Sequence, residues 1–296
     1  MHAELMAPRL LAEGARRPAL ELLLARARVE RVDREDAASW LAHAFGLETV
    51  PAGALTASAP GFWVRADPVH YRLLRDRIVL VPLAGLDAAY ASALVATLNR
   101  HFEGRYAFVA PHPDAWAMRA APAALDTAPT SEVAGADVGA ILPGAPWAAL
   151  LNEIQMALHE HPASEGRELE VNGVWVWGAG ELPGKLAAPW RSVAADDPLA
   201  LGLARAAGIK HGAPPAAAPA WLDALPGEGR HLVVPGVADE DADASWFAPL
   251  LAALRQGRVG MVTLHAPEAG LSFEVTRSDL YRFWRRARPA AEHAPR

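Results

Sequence analysis

The chain has 296 residues, 52% of them hydrophobic, with a net charge of −6 and no cysteine. That length holds one large or two ordinary domains, and the acidic balance argues against a nucleic-acid surface or an anionic-membrane binder. Lack of cysteine excludes disulfides, iron–sulfur clusters, thiolate zinc sites and cysteine nucleophiles, so any metal would need His and carboxylate ligands. The N-terminal apolar run carries charges and no cleavage signature, and no apolar run nears the ~20 residues of a membrane helix. The cytoplasm is the expected location.

Residues 3–11 suggest a short strand that Pro8 confines to an edge or an ending. Pro18 opens a helix over 19–28, and 36–45 reads as a second helix closed by Gly46. The small and turn-forming residues of 51–61 read as a linker. Segments 62–74 and 76–83 look like two strands around a polar turn. The helix of 87–101 follows, with Tyr90, Leu94, Val95, Leu98 and Phe102 on one side. Strands at 106–110 and 116–120, a helix at 147–159 and a strand at 171–177 complete this part. Both faces of the last strand are mostly apolar, which predicts a central position. From 76 the order is strand, helix, strand, strand, helix, strand, the ferredoxin-like pattern, with both helices expected on one face of an antiparallel sheet.

Beyond 184 the helices read at 198–207, 246–254 and 278–286, and the strands at 231–235, 259–264 and 271–275. The Ala- and Pro-rich stretch 211–226 reads as a surface excursion with one helical turn at 221–225. This alternation predicts an α/β layer. The two chain ends then form one α/β core, as 1–60 and 181–296, around an inserted ferredoxin-like α+β domain at 61–180.

Several polar patterns invite chemistry, and each has a plainer reading. GAGELPGK at 178–185 misses the phosphate-loop spacing by one residue and lacks the closing Ser or Thr. A strand-to-loop turn needing positive φ is the plainer account, although its amides could cradle an anion beside Lys185. His159, Glu160 and His161 are spaced too closely to share a helix face as metal ligands, and suit a fraying helix end. Asp239, Asp241 and Asp243 alternate as in a calcium loop, but Ala244 and Leu250 stand where glycine and glutamate belong. This acidic run suits the N-terminus of the helix that follows. Asp67 before Pro68 suggests an Asx-type turn, while Arg65, Asp67, His70 and Arg72 together could bind an anion. The ten tryptophans read first as core and second as stacking surfaces. Spacing assembles no Ser, His and Asp set.

Five blocks together, FWVRADPVH at 62–70, LNEIQMALHEHP at 151–162, VNGVWVWGAGELP at 171–183, DDPLALGLARAAG at 196–208 and TRSDLYRFWRR at 276–286, resemble the bacterial RpfE-type regulatory proteins, also described as phosphoglycerate mutase-like. A more distant likeness is to archaeal-type cofactor-independent phosphoglycerate mutases. Their insert pattern is matched by His161, Pro162, Arg167, Asn172, Gly178, Ala179 and Gly180. Ser164 replaces an asparagine, Trp177 replaces an arginine, and the loop from Arg167 to Asn172 is shortened. This resemblance implies a reduced alkaline-phosphatase-like core with an insert, in agreement with the layout above. It also implies a serine nucleophile and two metals held by Asp and His. The early Asp-Gly signature is missing from residues 1–50, and 231–244 lacks the family's Asp and Gly-His ligands.

Two expectations follow. The first is a non-catalytic regulatory protein that binds an anion such as a small phosphorylated metabolite, without cofactor, nucleic acid or membrane, its protein partners unknown. Its ligand would lie where Arg65, Asp67, His70, Arg167, Asn172, Gly178, Gly180 and Lys185 converge, fixed glycine amides and a planar guanidinium being suited to phosphate. The alternative is a phosphomutase or phosphotransferase whose divalent metal, manganese or zinc, is held by recruited ligands such as His231, Asp239, Asp241 and His265.

Overall fold

A computed structural model describes residues 1–7, 9–159, 161–235 and 241–295. The first stretch holds β1 (His2–Met6), α1 (Pro18–Arg26), β2 (Arg28–Arg31) and α2 (Ala37–Ala44). The middle holds α3 (Ala52–Ala57), β3 (Trp63–Leu73), β4 (Ile78–Pro82), α4 (Ala88–His101), β5 (Ala107–His112), β6 (Ala115–Arg119), α5 (Thr130–Val133), α6 (Trp147–Leu158) and β7 (Gly173–Gly180). Then come β8 (Ser192–Ala195), α7 (Pro198–Ala206), β9 (Lys210–Gly212), α8 (Ala218–Asp223), β10 (Arg230–Val234), α9 (Ala248–Gln256), β11 (Met261–Ala266) and β12 (Leu271–Thr276). The chain is mixed α/β and divides into two compact units. Met1–Gly46, Ala187–Asp196 and Ala207–Arg296 form the first, Leu47–Leu186 and Asp197–Ala206 the second. Among the described residues no helix is long and apolar enough to cross a membrane.

The first unit carries a seven-stranded sheet in the order β2-β12-β11-β1-β10-β8-β9. Its strands from β11 to β9 are parallel, and β12 and β2 add antiparallel at one side. Of the two readings, an edge or an ending, the edge is excluded: β1 lies in the interior, parallel to β10 and β11. It ends at Met6, and Pro8 lies outside the described residues. Ala3, Leu5, Val233, Val262 and Leu264 pack with Leu20, Leu23 and Leu24 of α1 and Leu250 and Leu254 of α9. α2 begins at Asp36, whose carboxylate accepts from the amides of Ala38 and Ser39, an N-cap in the expected place.

Asp243 corrects the reading of the acidic run. Its carboxylate oxygens accept from the amides of Ala19 and Leu20, each at 3.0 Å, so it caps α1 across the unit and not its own helix. The helix expected over 278–286 is only a 3-10 turn at Ser278–Tyr281. Asp279 turns back to the amide and hydroxyl of Thr276, at 2.9 and 2.7 Å, and the aromatic residues beyond it face solvent.

The second unit is organised on β3. β4 and β6 pair along one edge of it and β7 along the other, all antiparallel, and β5 pairs β6. α4 and α6 lie on one face of this sheet, where Tyr90, Leu94, Leu98, Leu150, Ile154 and Leu158 meet Val64, Ala66, Trp116, Met118, Val174 and Val176. The strand meeting both neighbours is therefore β3, beginning at Trp63, and not the segment from 76, which pairs as its hairpin partner β4 and bridges Asp137 on its other side.

Two expectations fail here for physical reasons. Among the described residues β7 pairs β3 alone and so is an edge strand, although Gly173–Trp177 are buried. Its free edge is covered by side chains and irregular chain. The hydroxyls of Tyr71 and Thr127 donate to the carbonyls of Val174 and Val176, and Trp175 Nε1 donates to Ala128 O. Apolar faces report what covers the faces, not what pairs the edges. The supposed linker of 51–61 contains the buried helix α3, packed on the face opposite α4 and α6. Its small residues serve close approach: a Cβ on Gly53 would stand 2.4 Å from the backbone of Val64.

Candidate functional site

Alternation along β3 puts Arg65 and Asp67 on the same face, both buried. Arg65 Nε donates to Asp67 Oδ1 at 2.5 Å and Nη1 to Thr56 Oγ1 at 2.8 Å, with Asp197 Oδ1 at 3.6 Å. Asp67 Oδ2 accepts from Thr130 Oγ1 at 2.6 Å and from Trp177 Nε1 at 2.7 Å. Burial disfavours the guanidinium charge, but Asp67 and Asp197 outweigh it and raise the Arg65 pKa. The Asx-type turn is replaced by straight strand. Opposite Pro68 the β7 partner is Val174, and the other edge of β3 has no registered partner between Arg65 and Val69, so the missing proline N–H costs no ladder bond.

The remaining nominated residues are dispersed around this pair. Asn172 acts as a substitute backbone, accepting from Tyr71 N at 2.7 Å and donating to Tyr71 O at 3.0 Å. His70 Nδ1 donates to Glu170 O at 3.0 Å. Gly178 and Gly180 belong to β7 itself and not to a turn beyond it. Gly178 has φ +58°, and its Cβ would fall 2.5 Å from Ala52 Cβ, while one on Gly180 would fall 2.8 Å from Pro51 Cβ. Their role is close approach to the N-terminal end of α3. Arg167 is exposed and lies elsewhere, its guanidinium 3.7 Å from the Tyr90 ring centroid and its Nε donating to Ala163 O. Lys185 is exposed. His161 bonds Thr97 Oγ1 and accepts from Ala163 N, and Glu160 lies outside the described residues.

A polar stripe that sequence reading missed crosses the sheet of the first unit. Glu4, in the middle of β1, is fully buried and accepts from Arg230 Nε at 2.5 Å and Nη2 at 3.1 Å, from Trp190 Nε1 at 3.0 Å and from His265 Nε2 at 3.0 Å. His2 Nδ1 lies 3.4 Å away. Burial works to raise the Glu4 pKa, but the hydrogen bonds from His265, Arg230 and Trp190 prevail and hold it at about 2. His265 Nδ1 meets Ser272 Oγ at 2.9 Å, and Trp40 lies over the imidazole at 4.6 Å. Ser272, His265 and Glu4 are thus in contact as a nucleophile, base and acid would be. Ser272 is buried, however, and its hydroxyl does not present the accessible oxygen that a nucleophile requires. The weak sequence signal was a glutamate two positions from a histidine inside an apolar run.

The recruited metal set does not converge. The ladder places His231 beside Ala3 and His265 beside Met6, so the two histidines lie on opposite faces of the sheet. His231 is occupied by Ser192 Oγ at 2.9 Å and Gly227 O at 3.0 Å, and its pKa is lowered, first by burial. Asp239 lies outside the described residues. Among the described residues no group of three or more His, Asp or Glu could hold a metal ion.

Beyond the carboxyl ends of β1 and β11 a cleft of about 220 Å³ is lined by Arg9, Leu10, Arg34, Pro267 and Glu268. Arg9 has φ +59°, an uncommon backbone state for a side-chain-bearing residue, and Arg34 Nε donates to Glu268 O at 3.1 Å. In open α/β sheets, ligands bind outside the carboxyl ends of parallel strands.

The chain is thus a mixed α/β protein of two units, one built on a largely parallel sheet. A comparison with protein-family models finds no match, and one with curated proteins finds none either. Among solved structures it is similar to a cofactor-independent phosphoglycerate mutase from Thermoplasma acidophilum DSM 1728, at 15% identity over 100% of this chain and 95% of that one, with a TM-score of 0.45. It is also similar to a Pyrococcus horikoshii protein, at 13% identity over 93% of this chain and 87% of that one, with a TM-score of 0.49.

Proposed function

We propose that this chain is a regulatory, phosphoanion-binding protein of the RpfE type, non-catalytic, on a reduced phosphoglycerate mutase-like core with a ferredoxin-like insert. The strand order β7-β3-β6-β5 with α4 and α6 on one face supports the insert assignment. One observation supports the non-catalytic reading above others: of the buried carboxylates, Glu4 and Asp67 are each engaged by an arginine and an indole N–H, and Glu21 and Asp279 each pair with an arginine. A carboxylate held that way has few lone pairs left for a metal or a proton in flight. The cleft of Arg9 and Arg34 offers guanidiniums to an anion without dismantling a buried network. In the second unit Arg72, Arg167 and Lys185 are exposed cations among the residues nominated by sequence.

A thermal-shift screen of phosphorylated metabolites tests this reading, with metal analysis and a mutase assay on the same preparation. The expected result is a ligand-dependent shift, no turnover and no stoichiometric metal. Loss of the shift in Arg9→Ala with Arg34→Ala places the ligand in the cleft. Loss in Arg167→Ala with Lys185→Ala places it at the sequence-nominated residues instead. Turnover abolished by a chelator, or no shift with any phosphorylated ligand, would count against the proposal.

A further inference from the structure

Segment 277–288 contains five arginines and one acid, Asp279. That acid is buried and bonded to Thr276 and to Arg282 Nη2 at 2.7 Å, so it offsets one of the five arginines and leaves the other four without an acid in the segment. The segment is tied to the end of α1. Arg26 Nη1 donates to the carbonyls of Arg282 and Arg285, Arg282 Nη1 donates to Arg26 O, and Arg285 Nη1 donates to Ala27 O. Beyond these ties the chain projects Tyr281, Phe283 and Trp284, which are 71, 79 and 67% exposed. Three large aromatic rings this exposed within four residues are not the scattered apolar exposure of an ordinary surface.

Beside the aromatic tip lies a cavity of about 350 Å³ lined by Leu22, Arg26, Arg255, Arg277, Leu280 and Tyr281, with three guanidiniums and, among the described residues, no carboxylate. Arg26 Nε is buried and makes no hydrogen bond among the described residues. A second cleft of about 250 Å³ runs against another part of α1 and is lined by Arg285, Arg286 and Arg288. Net charge is a poor guide here, because a Debye length of about 8 Å lets a dense cationic patch act locally on a chain whose overall charge is negative.

We infer that this tip docks the protein on an anionic phospholipid surface, with Phe283 and Trp284 entering the interfacial layer and a headgroup phosphate seated among Arg26, Arg255 and Arg277. Aromatic side chains partition to the headgroup boundary, and flanking arginines keep their charge at the phosphates. Single-stranded nucleic acid fits less well. The Phe283 and Trp284 rings are 5.3 Å apart at 80°, which offers successive bases no common stacking platform.

The test is co-sedimentation of the full chain with vesicles of phosphatidylcholine mixed with phosphatidylglycerol, against phosphatidylcholine alone. Binding is expected only to the anionic vesicles, with release as salt is raised. Phe283→Ser with Trp284→Ser is expected to abolish it at an unchanged melting temperature, since neither side chain is buried. Arg285→Ala with Arg286→Ala is expected to weaken it by roughly tenfold or more. Equal binding to both vesicle types, binding to neither, or binding that survives the aromatic double substitution would each overturn the inference. So would a tip that binds single-stranded RNA or inorganic pyrophosphate but no vesicle.

Discussion

In the second unit Asp67 meets its arginine two residues away along β3, whereas in the first unit Glu4 gathers partners 186, 226 and 261 residues distant. The local pair is the drier one. Arg65 and Asp67 are both nearly excluded from solvent, while Arg230 remains half exposed at the rim of its network. Removing the acid therefore has different consequences in the two places. Arg65 would be stranded as a buried charge with only Asp197 nearby, but Arg230 can turn to water.

The largest effect is expected from Asp67→Ala, a loss of ~3–5 kcal/mol, the cost of leaving a buried partner uncompensated. Glu4→Ala is expected to cost about 2–3 kcal/mol, since the indole of Trp190 and the imidazole of His265 lose an acceptor while Arg230 rehydrates. Denaturant titration of both variants checks the order. An Asp67→Ala loss below that of Glu4→Ala would show that Asp197 takes over Arg65 and that the two networks are alike.

Acid sharpens the same comparison. The folded-state pKa of Glu4 is depressed from 4.5 to about 2, so its contribution is fully present above the unfolded value and is lost as pH falls through that interval. A depression of that size corresponds to roughly 3 kcal/mol at neutral pH. Glu21 and Asp279 also have lowered pKa values, so the wild-type acid profile alone is not diagnostic. The readout is the difference between wild type and Glu4→Gln, which should shrink steadily below pH 4.5. A constant difference down to pH 2 would mean that Glu4 is not the group lost.

The two networks also explain what the sequence made readable. Arg65 and Asp67 could be placed together because residues two apart on a strand share a face, and the helices now seen as α1, α2, α4 and α6 stood out from their apolar period and caps. Glu4 could not be found, because its partners come from β10, β11 and the chain before β8, and only sheet order brings them together. The strand order also decided against β7 at the centre, since burial pattern constrains faces and not edges. α3 was hidden for another reason: alanines and glycines chosen for close packing look like those of a flexible linker. Arg65, Asp67 and Asn172 have the chemistry of an anion site, and the fold uses that chemistry on its own strands.

Gly178 tests the close-approach argument. Gly178→Ala is expected to cost ~1–3 kcal/mol, from a positive φ together with a Cβ pressed on Ala52, whereas Gly184→Ala meets open space and should be near neutral. Thermal denaturation of the pair separates packing from a general intolerance of this segment. Equal effects would show that the contact with Ala52 relaxes at little cost.

The smallest structural effect is expected at Arg167. Its guanidinium lies 3.7 Å from the ring centroid of Tyr90, and Tyr90 Oη in turn accepts from Val171 N just before β7. The arginine itself is exposed, so losing the ring contact should cost only about 0.5–1 kcal/mol of stability. Ligand affinity, and not the size of that loss, discriminates between two roles. If Arg167 serves only to brace Tyr90, then Arg167→Lys recovers part of the stability, and phosphorylated ligands shift wild type and variant equally. If it is also an anion ligand, Arg167→Ala should weaken binding by ~1.5–3 kcal/mol, the range for a hydrogen bond to a charged group, with the same small change in melting temperature. Lysine would then rescue stability better than affinity, because a point charge cannot reproduce a planar two-point grip on phosphate. Calorimetric titration of wild type, Arg167→Ala and Arg167→Lys with the best ligand from the thermal screen measures both quantities. Equal affinity in all three removes Arg167 from the anion site and leaves the cleft of Arg9 and Arg34 to account for binding.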